Sequence, residues 1–480
     1  MKLFTYTLFA CVVAISPLAG GLFAEEPALP LGLDSSEPSL PSGLDSKALS
    51  EEPELPMGLD DDLVGSSALE LEGRHDTSPV SYRGFLETRG GLRVYDDPTQ
   101  KTASIGEVRL QTQFDKEYDW ISGRITSDLV ADAVANTWPL DLETGEGFVD
   151  LREAFVFARL GENADVKVGR QVLTWGTGDF LFINDLFPKD WNSFFIGRDD
   201  EYLKAPSDAL KVSLFSEVVN IDLVYTPVFD SDRYIDGQRI SFFNPAQAAI
   251  TGRDQPLEVS ERTRWFQDDE LSARIYRRLG SYELALYGYY GFWKSPGGFD
   301  PKTMEATFPR LAVYGASLRG PFLSGIGNLE VGYYDSLDDS DGKDPLVRNS
   351  ELRALAGYEQ EIAQNLTAGI QYYVEAIQDY EGYRAQLPES LYLQDEYRQL
   401  VTLRLTQLLM NQNLLVSFFG FYSPTDDDAF PRAKVNYKLS DSLQVEFGSN
   451  FFLATDRRSF FGMFEDNSNV YTAIRYGFVS

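Results

Sequence analysis

The sequence predicts an all-β fold: a transmembrane antiparallel β-barrel of 18 strands. Three observations carry this reading. From Ser81 onward, segments of about ten residues alternate apolar and polar side chains, and their connections are alternately short and long. Nowhere does the chain supply the roughly 18 consecutive apolar residues that a spanning helix requires.

The elements follow in chain order. Residues 1–24 read as a secretory signal peptide, with Lys2, an apolar run from Leu8 to Leu18, and small residues before Ala24. Cys11 is the only cysteine, so cleavage near Ala24 leaves no disulfide, cysteine-bound zinc, iron–sulfur cluster or Cys-x-x-Cys-His haem site, and no cofactor is expected. Residues 25–80 form an acidic tail in which the pattern Glu-Pro-x-Leu-Pro-x-Gly-Leu-Asp occurs three times, from Glu26, from Glu37 and from Glu52. Each copy carries two prolines and a glycine, so neither helix nor sheet should propagate through it. The tail is expected to be a disordered periplasmic linker; the alternative is that its repeats, within 25–65, dock a periplasmic partner.

Residues 81–480 are expected to form the barrel, with strands near 82–95, 104–116, 119–134, 149–160, 163–173, 207–216, 218–226, 269–278, 281–293, 308–319, 326–335, 350–359, 365–376, 396–408, 413–423, 431–439, 442–453 and 468–478. In the second, Val108, Leu110, Thr112 and Phe114 share one parity, while Glu107, Arg109, Gln111, Gln113 and Asp115 share the other. Successive strand side chains point to opposite faces, so each segment lays down one apolar and one hydrophilic stripe. Short links such as 116–120, 278–282, 362–365, 410–413 and 439–442 alternate with long ones at 134–148, 174–206, 229–268 and 376–396. An even-stranded barrel with periplasmic turns and outward loops needs this arrangement; one weak segment would reduce the count to 16. In the last segment Val470, Thr472, Ile474, Tyr476 and Phe478 alternate as in the strand by which barrel-assembly machinery recognises its clients. Tyr82, Tyr225, Tyr290, Phe292, Tyr333, Tyr334, Tyr372, Tyr422 and Phe452 fit two interfacial girdles facing outer-membrane lipid.

The formal charge of −32 lies largely in the tail and in loop runs such as Asp426-Asp427-Asp428. Assigning the polar parity to the lumen places Arg83, Arg89, Arg93, Arg109, Arg124, Arg274, Arg404, Arg432, Lys434 and Arg475 there, with Lys211, Arg353 and Arg398. Glu87, Glu107, Asp128, Asp222, Glu283, Glu351, Glu375 and Glu446 face the same way. For any one of these, pairing across neighbouring strands is the default reading. Collectively the guanidinium groups suit carboxylate or phosphate, so a weak anion preference is expected.

The most specific stretch is Gly169-Arg170-Gln171-Val172-Leu173-Thr174-Trp175-Gly176, followed by Asp179 and by Asn184-Asp185-Leu186-Phe187-Pro188-Lys189-Asp190-Trp191. Alternation fails here, because Arg170 shares the parity of Val166 and Val168; a bulge at Gly169 would restore it to the lumen. The third long connection is dense in Phe180, Phe182, Phe187, Trp191, Phe194 and Phe195, rings that water would not hold, so it is expected to fold inward and narrow the pore. Gly-Arg-Gln, Trp-Gly, then Asn-Asp-x-x-Pro-x-Asp resembles a porin-like group of outer-membrane proteins of largely undefined substrate, related in style to alginate-export and substrate-specific porins. The resemblance covers roughly 149–200. It implies that Arg170, Gln171, Trp175, Gly176, Asp185 and Asp190 shape the third loop and constriction; Asp179 and Trp191 of the same loop complete the candidate set.

Other chemistries are disfavoured. The single histidine, His75, precedes the first strand, so no nucleophile within the barrel would have a histidine base. Asp335 to Asp344 lacks the spacing of a helix-loop-helix calcium loop, and an acidic chain disfavours nucleic acid. The expectation is a non-enzymatic outer-membrane channel for small hydrophilic solutes. A scaffold holding a periplasmic partner such as an electron carrier, and a structural barrel with a blocked lumen, are the alternatives. Oligomeric state and metal binding leave no trace in the sequence.

Overall fold

The computed structural model describes residues 80–479 except 143, 245–248 and 388–392. The expected signal peptide and repeat tail, with His75, fall on residues 1–79 and lie outside the described residues.

Alternating side chains and a continuous hydrogen-bond ladder give 18 antiparallel strands closed on themselves. They are β1 Ser81–Arg93, β2 Ala103–Tyr118, β3 Ile121–Asp132, β4 Val149–Arg159, β5 Ala164–Val172, β6 Pro206–Leu214, β7 Asn220–Thr226, β8 Glu270–Leu279 and β9 Tyr282–Phe292. The second half comprises β10 Arg310–Phe322, β11 Gly325–Ser336, β12 Glu351–Ala363, β13 Leu366–Ile377, β14 Tyr397–Leu409, β15 Leu414–Ser423, β16 Asp428–Lys438, β17 Leu443–Asn450 and β18 Asn469–Val479. Each strand pairs with its successor, and β1 pairs with β18 from Arg83↔Val479 to Arg93↔Asn469. Closure satisfies every edge, the condition for a sheet to live in hydrocarbon. A two-residue piece, Leu453–Ala454, extends the ladder beside β16.

The outer parity is apolar all round: Leu86, Val108, Ile125, Val168, Leu223, Leu286, Leu329, Ile370, Leu403, Phe447 and Ile474 are exposed. Such a belt is stable only against lipid, which fixes the molecule as an outer-membrane type barrel. Tyr82, Tyr290, Tyr333, Tyr372 and Tyr422 are exposed in agreement with the girdle expectation. Phe292, Tyr334 and Phe452 instead turn inward and are buried, the first correction. At paired aromatics such as Tyr333-Tyr334 composition does not say which ring faces lipid; the pleat decides.

A second correction concerns Gly169. Pairing runs through it without a slip on both sides, Phe155↔Gly169 and Gly169↔Ala209, although its φ of 120° bends the strand locally. The two-for-one irregularity lies one strand earlier, where Thr126 faces Glu153 and Ser127 faces Leu151, leaving Arg152 extra.

Candidate functional site

The third long connection, residues 173–205, runs inside the barrel. Its first half is pinned to β11 through Glu330. Thr177 N–H donates to Oε2 at 3.0 Å, and the Asn184 backbone and side-chain N–H groups both donate to Oε1 at 2.9 Å. The Tyr334 hydroxyl donates to the Ile183 carbonyl, and Asp179 N–H to Gln371 Oε1 on β13 at 3.2 Å. Asp190 then caps a short helix, α1 (Trp191–Ile196), by accepting from Ser193 N–H at 2.7 Å. Gly197 ends it at φ 82°, where any Cβ would lie 2.2 Å from the Tyr471 ring, so only glycine lets the chain turn there.

The second half spans to the opposite wall. Arg198 grips Glu107 on β2, with Nη2 to Oε1 at 2.5 Å, and the Tyr202 hydroxyl donates to Asp128 on β3 at 2.7 Å. Arg152, the extra residue of the bulge, donates to the carbonyls of Glu201 and Lys204 at 3.1 and 2.8 Å. The bulge thus aims one more guanidinium at the loop than strict alternation would allow. Asp232 and Arg233 of the connection after β7, and Phe461 and Phe464 of the connection after β17, also hold the loop. Arg233 bridges Asp150 at 2.8 Å and Asp190 at 3.4 Å, and Asp232 accepts from Lys189 N–H and from Trp191 Nε1.

Between these polar anchors lies one apolar cluster. Phe194, Phe195 and Ile183 of the loop pack with Tyr289, Leu311, Leu355, Phe419, Phe421, Phe430 and Tyr471 of the wall and with Phe461 and Phe464. The sequence reading expected a wet interior; at this level the inward positions are aromatic because they form the counter-surface of the loop. Burying those rings against the wall replaces water that neither surface could hold.

The expected constriction residues all belong to this assembly or its support. Arg170 makes a two-point contact with Asp208, at 3.0 and 2.7 Å, and bonds the Leu142 carbonyl. Gln171 is fully buried and donates to the Ala209 carbonyl at 2.9 Å. Trp175 packs edge-on against Phe187 with centroids 4.9 Å apart, and Gly176 turns the chain beside Glu330 at φ 85°. Asp185 pairs with Lys189 at 3.0 Å and accepts from the Thr174 hydroxyl; Trp191 meets Phe194 edge-on with centroids 6.1 Å apart. Asp179 pairs with Arg404 at 3.1 Å.

Of the expected lumen cations, Arg89 contacts Glu87 and Glu446, Arg109 contacts Asp128 and Glu107, Arg124 contacts Asp115, and Arg274 contacts Glu283. Arg93 spends its donors on the carbonyls of Ala103 and Arg239 and on Asn467. Arg432 and Lys434 both reach Asp200 at 3.0 Å, and Arg475 reaches Glu87 at 2.8 Å and Asp199 at 3.3 Å. Arg83 is exposed near the short-turn rim. Glu330, Tyr334, Arg198 and Arg233 escaped the sequence reading. The inward parity of Glu330 and the loop positions of Arg198 and Arg233 were visible, whereas Tyr334 was read as a girdle residue, and their partners lie 83 to 151 residues away.

Burial pushes the Asp179 carboxyl up to about 6 against the opposing pull of Arg404, and burial with Asp199 beside it pushes Glu201 up to about 7. An unfolded aspartate titrates near ~3.9. Between about pH 4 and pH 6 the folded state therefore holds the extra proton, and stability falls as pH rises through that window. Asp179→Asn, neutral throughout, is expected to be more stable than the parent by on the order of 2 kcal/mol at about pH 7.5 and equal to it near pH 3.5. Urea unfolding in lipid vesicles at both pH values checks this; an offset independent of pH contradicts it.

A closed 18-strand barrel with a lipid-facing belt and a third loop folded inside it has the architecture of porin-type outer-membrane barrels. Residues 99–248 match a protein-family model described as "Protein of unknown function (DUF1302)", a span that contains the Gly-Arg-Gln and Asn-Asp motifs. No curated protein matches the chain. Solved structures with a similar fold include Acinetobacter baumannii OccAB3, 12% identical with a TM-score of 0.50, over 84% of this chain and 99% of that one. A BenF-like porin from Pseudomonas fluorescens Pf-5 is 11% identical with a TM-score of 0.50, over 84% and 99%. At these identities the likeness is one of fold.

Proposed function

We propose that the protein is a non-enzymatic outer-membrane channel for passive passage of small hydrophilic solutes, with a weak preference for anions, and that its third loop sets the constriction. The observation that carries this reading is the loop itself: a segment anchored to β11 on one side and to β2 and β3 on the other must govern what passes between them. The cations of β14, β16 and β18 around it supply the anion preference. In this reading the β18 strand serves recognition by barrel-assembly machinery and the 25–80 tail is a periplasmic linker, with docking of a periplasmic partner by its 25–65 repeats as the alternative.

Planar-bilayer recordings of the mature protein test the proposal. Open-channel conductance with a reversal potential on the anion side in a salt gradient is expected. Strong cation selectivity would reject the anion preference. A silent bilayer would favour the second reading, a structural barrel with a blocked lumen, for which the continuous aromatic cluster between loop and wall speaks.

A further inference from the structure

Two glycines face each other across the inner surface of the wall. Gly315 of β10 pairs with Gly332 of β11, and both lie on the inward parity, between buried Val313 and Ser317 on one strand and buried Glu330 and Tyr334 on the other. A glycine in a strand interior weakens the strand and often marks a place where another backbone approaches closely. Neither has a positive φ, so backbone freedom does not account for them. What they provide is space.

The third loop fills that space. A Cβ at Gly315 would overlap Asn184 Oδ1, and one at Gly332 would lie 2.7 Å from Ile183 Cγ2, closer than two carbon atoms can stand. Asn184 is 2% exposed, and its side-chain nitrogen donates to Glu330 Oε1 at 2.9 Å, to the Val331 carbonyl at 3.3 Å and to the Ala316 carbonyl at 3.4 Å. Its amide oxygen receives no donor among the described residues and occupies the volume that the absent side chain of Gly315 leaves. Turning the amide over would set that oxygen against the Glu330 carboxylate, so the network permits one orientation. Asn184 opens the Asn-Asp-x-x-Pro-x-Asp pattern, and the seat gives that residue its reason: the position needs a short side chain that donates toward an acid and carries no charge.

We infer that Gly315 and Gly332 form a notch in the inner wall, that Asn184 is the key seated in it, and that these three are positioning residues which set how far the third loop stands into the lumen. The inference rests on the reading of that loop as the constriction. Glu330 ties the loop to β11 by charge; the notch fixes its distance from the wall by shape. An added methyl at either glycine lifts the first half of the loop off β10 and β11, because a close-packed interior does not absorb an extra carbon atom.

Cleavage within residues 173–186 by added protease, on the full chain refolded in lipid vesicles, tests this without requiring current. Gly315→Ala and Gly332→Ala are each expected to raise the cleavage rate about tenfold, through the larger open fraction that an overpacked seat produces. Gly288→Ala is the control, since a Cβ there meets nothing within 4 Å, and should match the parent. A Cβ at Gly315 would also stand 2.8 Å from the Val331 carbonyl, so Gly315→Ala is repeated on Asn184→Gly. There it should add nothing, because the overlapping group is gone.

Asn184→Asp decides the matter if the glycine variants do not assemble. It keeps the size and sets a carboxylate against Glu330, with Tyr334 and Tyr287 beside the seat, Arg353 beyond Tyr334, and Asp185 turned to Lys189. Two carboxylates that close cannot both ionise and stay seated, so cleavage relative to the parent at the same pH should be about tenfold faster at about pH 8 and equal at about pH 5. In planar bilayers the two glycine variants are expected to change single-channel conductance, and Gly288→Ala is not. Glycine variants cleaved like the control, an undiminished effect of Gly315→Ala on Asn184→Gly, a pH-independent ratio for Asn184→Asp, or faster cleavage at unchanged conductance would each overturn the proposal. Silent bilayers from the parent would remove the channel reading instead and leave the seat to be judged on the cleavage rates.

Discussion

Glu330→Ala is expected to free the first half of the third loop, raising single-channel conductance several-fold and adding rapid noise. One carboxylate here accepts from Thr177 N–H and Oγ1 and from both nitrogens of Asn184, at 2.9 to 3.2 Å. Hydrogen bonds to a charged group contribute about 1.5–3 kcal/mol each, and a buried donor left without a partner costs a further 1–3 kcal/mol or so. Even with strong non-additivity, several kilocalories per mole are withdrawn from one point of attachment. Barrel closure does not pass through that side chain, so heat-modifiable gel mobility should persist. Protease access to residues 173–186 is the companion measurement, and conductance and cleavage both unchanged would show that the loop is held elsewhere.

Phe195→Ala is the second large effect, acting on the apolar rather than the polar side of the same loop. The ring is 3% exposed and lies 5.1, 5.0 and 5.2 Å from Phe430, Phe452 and Phe464, while the residue's carbonyl accepts from Asn450 and Asn469. Truncating a buried phenylalanine costs about 3–5 kcal/mol, part of it the cavity left behind. The loop's docking equilibrium absorbs that loss first, so limited proteolysis of α1 should appear at denaturant concentrations that leave the barrel intact. Phe266→Ala, at a ring 69% exposed, serves as the control and should change neither. Equal sensitivity of the two variants would mean that the cluster does not hold the loop.

The two predictions touch residues of different legibility. Phe195 stood out in the sequence as part of a loop too aromatic to remain in water, and the structure buries it. Glu330 was one inward acid among many, alternating with Leu329 and Val331 like any strand residue. Nothing local marks it as the acceptor for a loop 146 positions earlier. The inward parity of Arg432, Lys434 and Arg475 could likewise be read, but Asp199 and Asp200 sit in a loop whose path no periodicity reports. The expected bulge was one strand out of place for the same reason. Alternation shows that parity breaks near Arg170, yet the extra residue is Arg152 on the neighbouring strand, and only pairing register assigns it.

The sequence by itself determined the strands, with a count of 18 against an alternative of 16, and the apolar stripe that most of them turn to lipid, because the pleat and the hydrogen-bond ladder are local and a greasy outer stripe must be written residue by residue; paired aromatics such as Tyr333-Tyr334 are the exception. Tertiary structure alone decided what the interior holds. The third loop's route across the lumen, the carboxylates it sets on Arg404, Arg432, Lys434 and Arg475, and the aromatic counter-surface of the wall all depend on contacts between residues far apart in the chain, whose energies exist only once the barrel has closed around them.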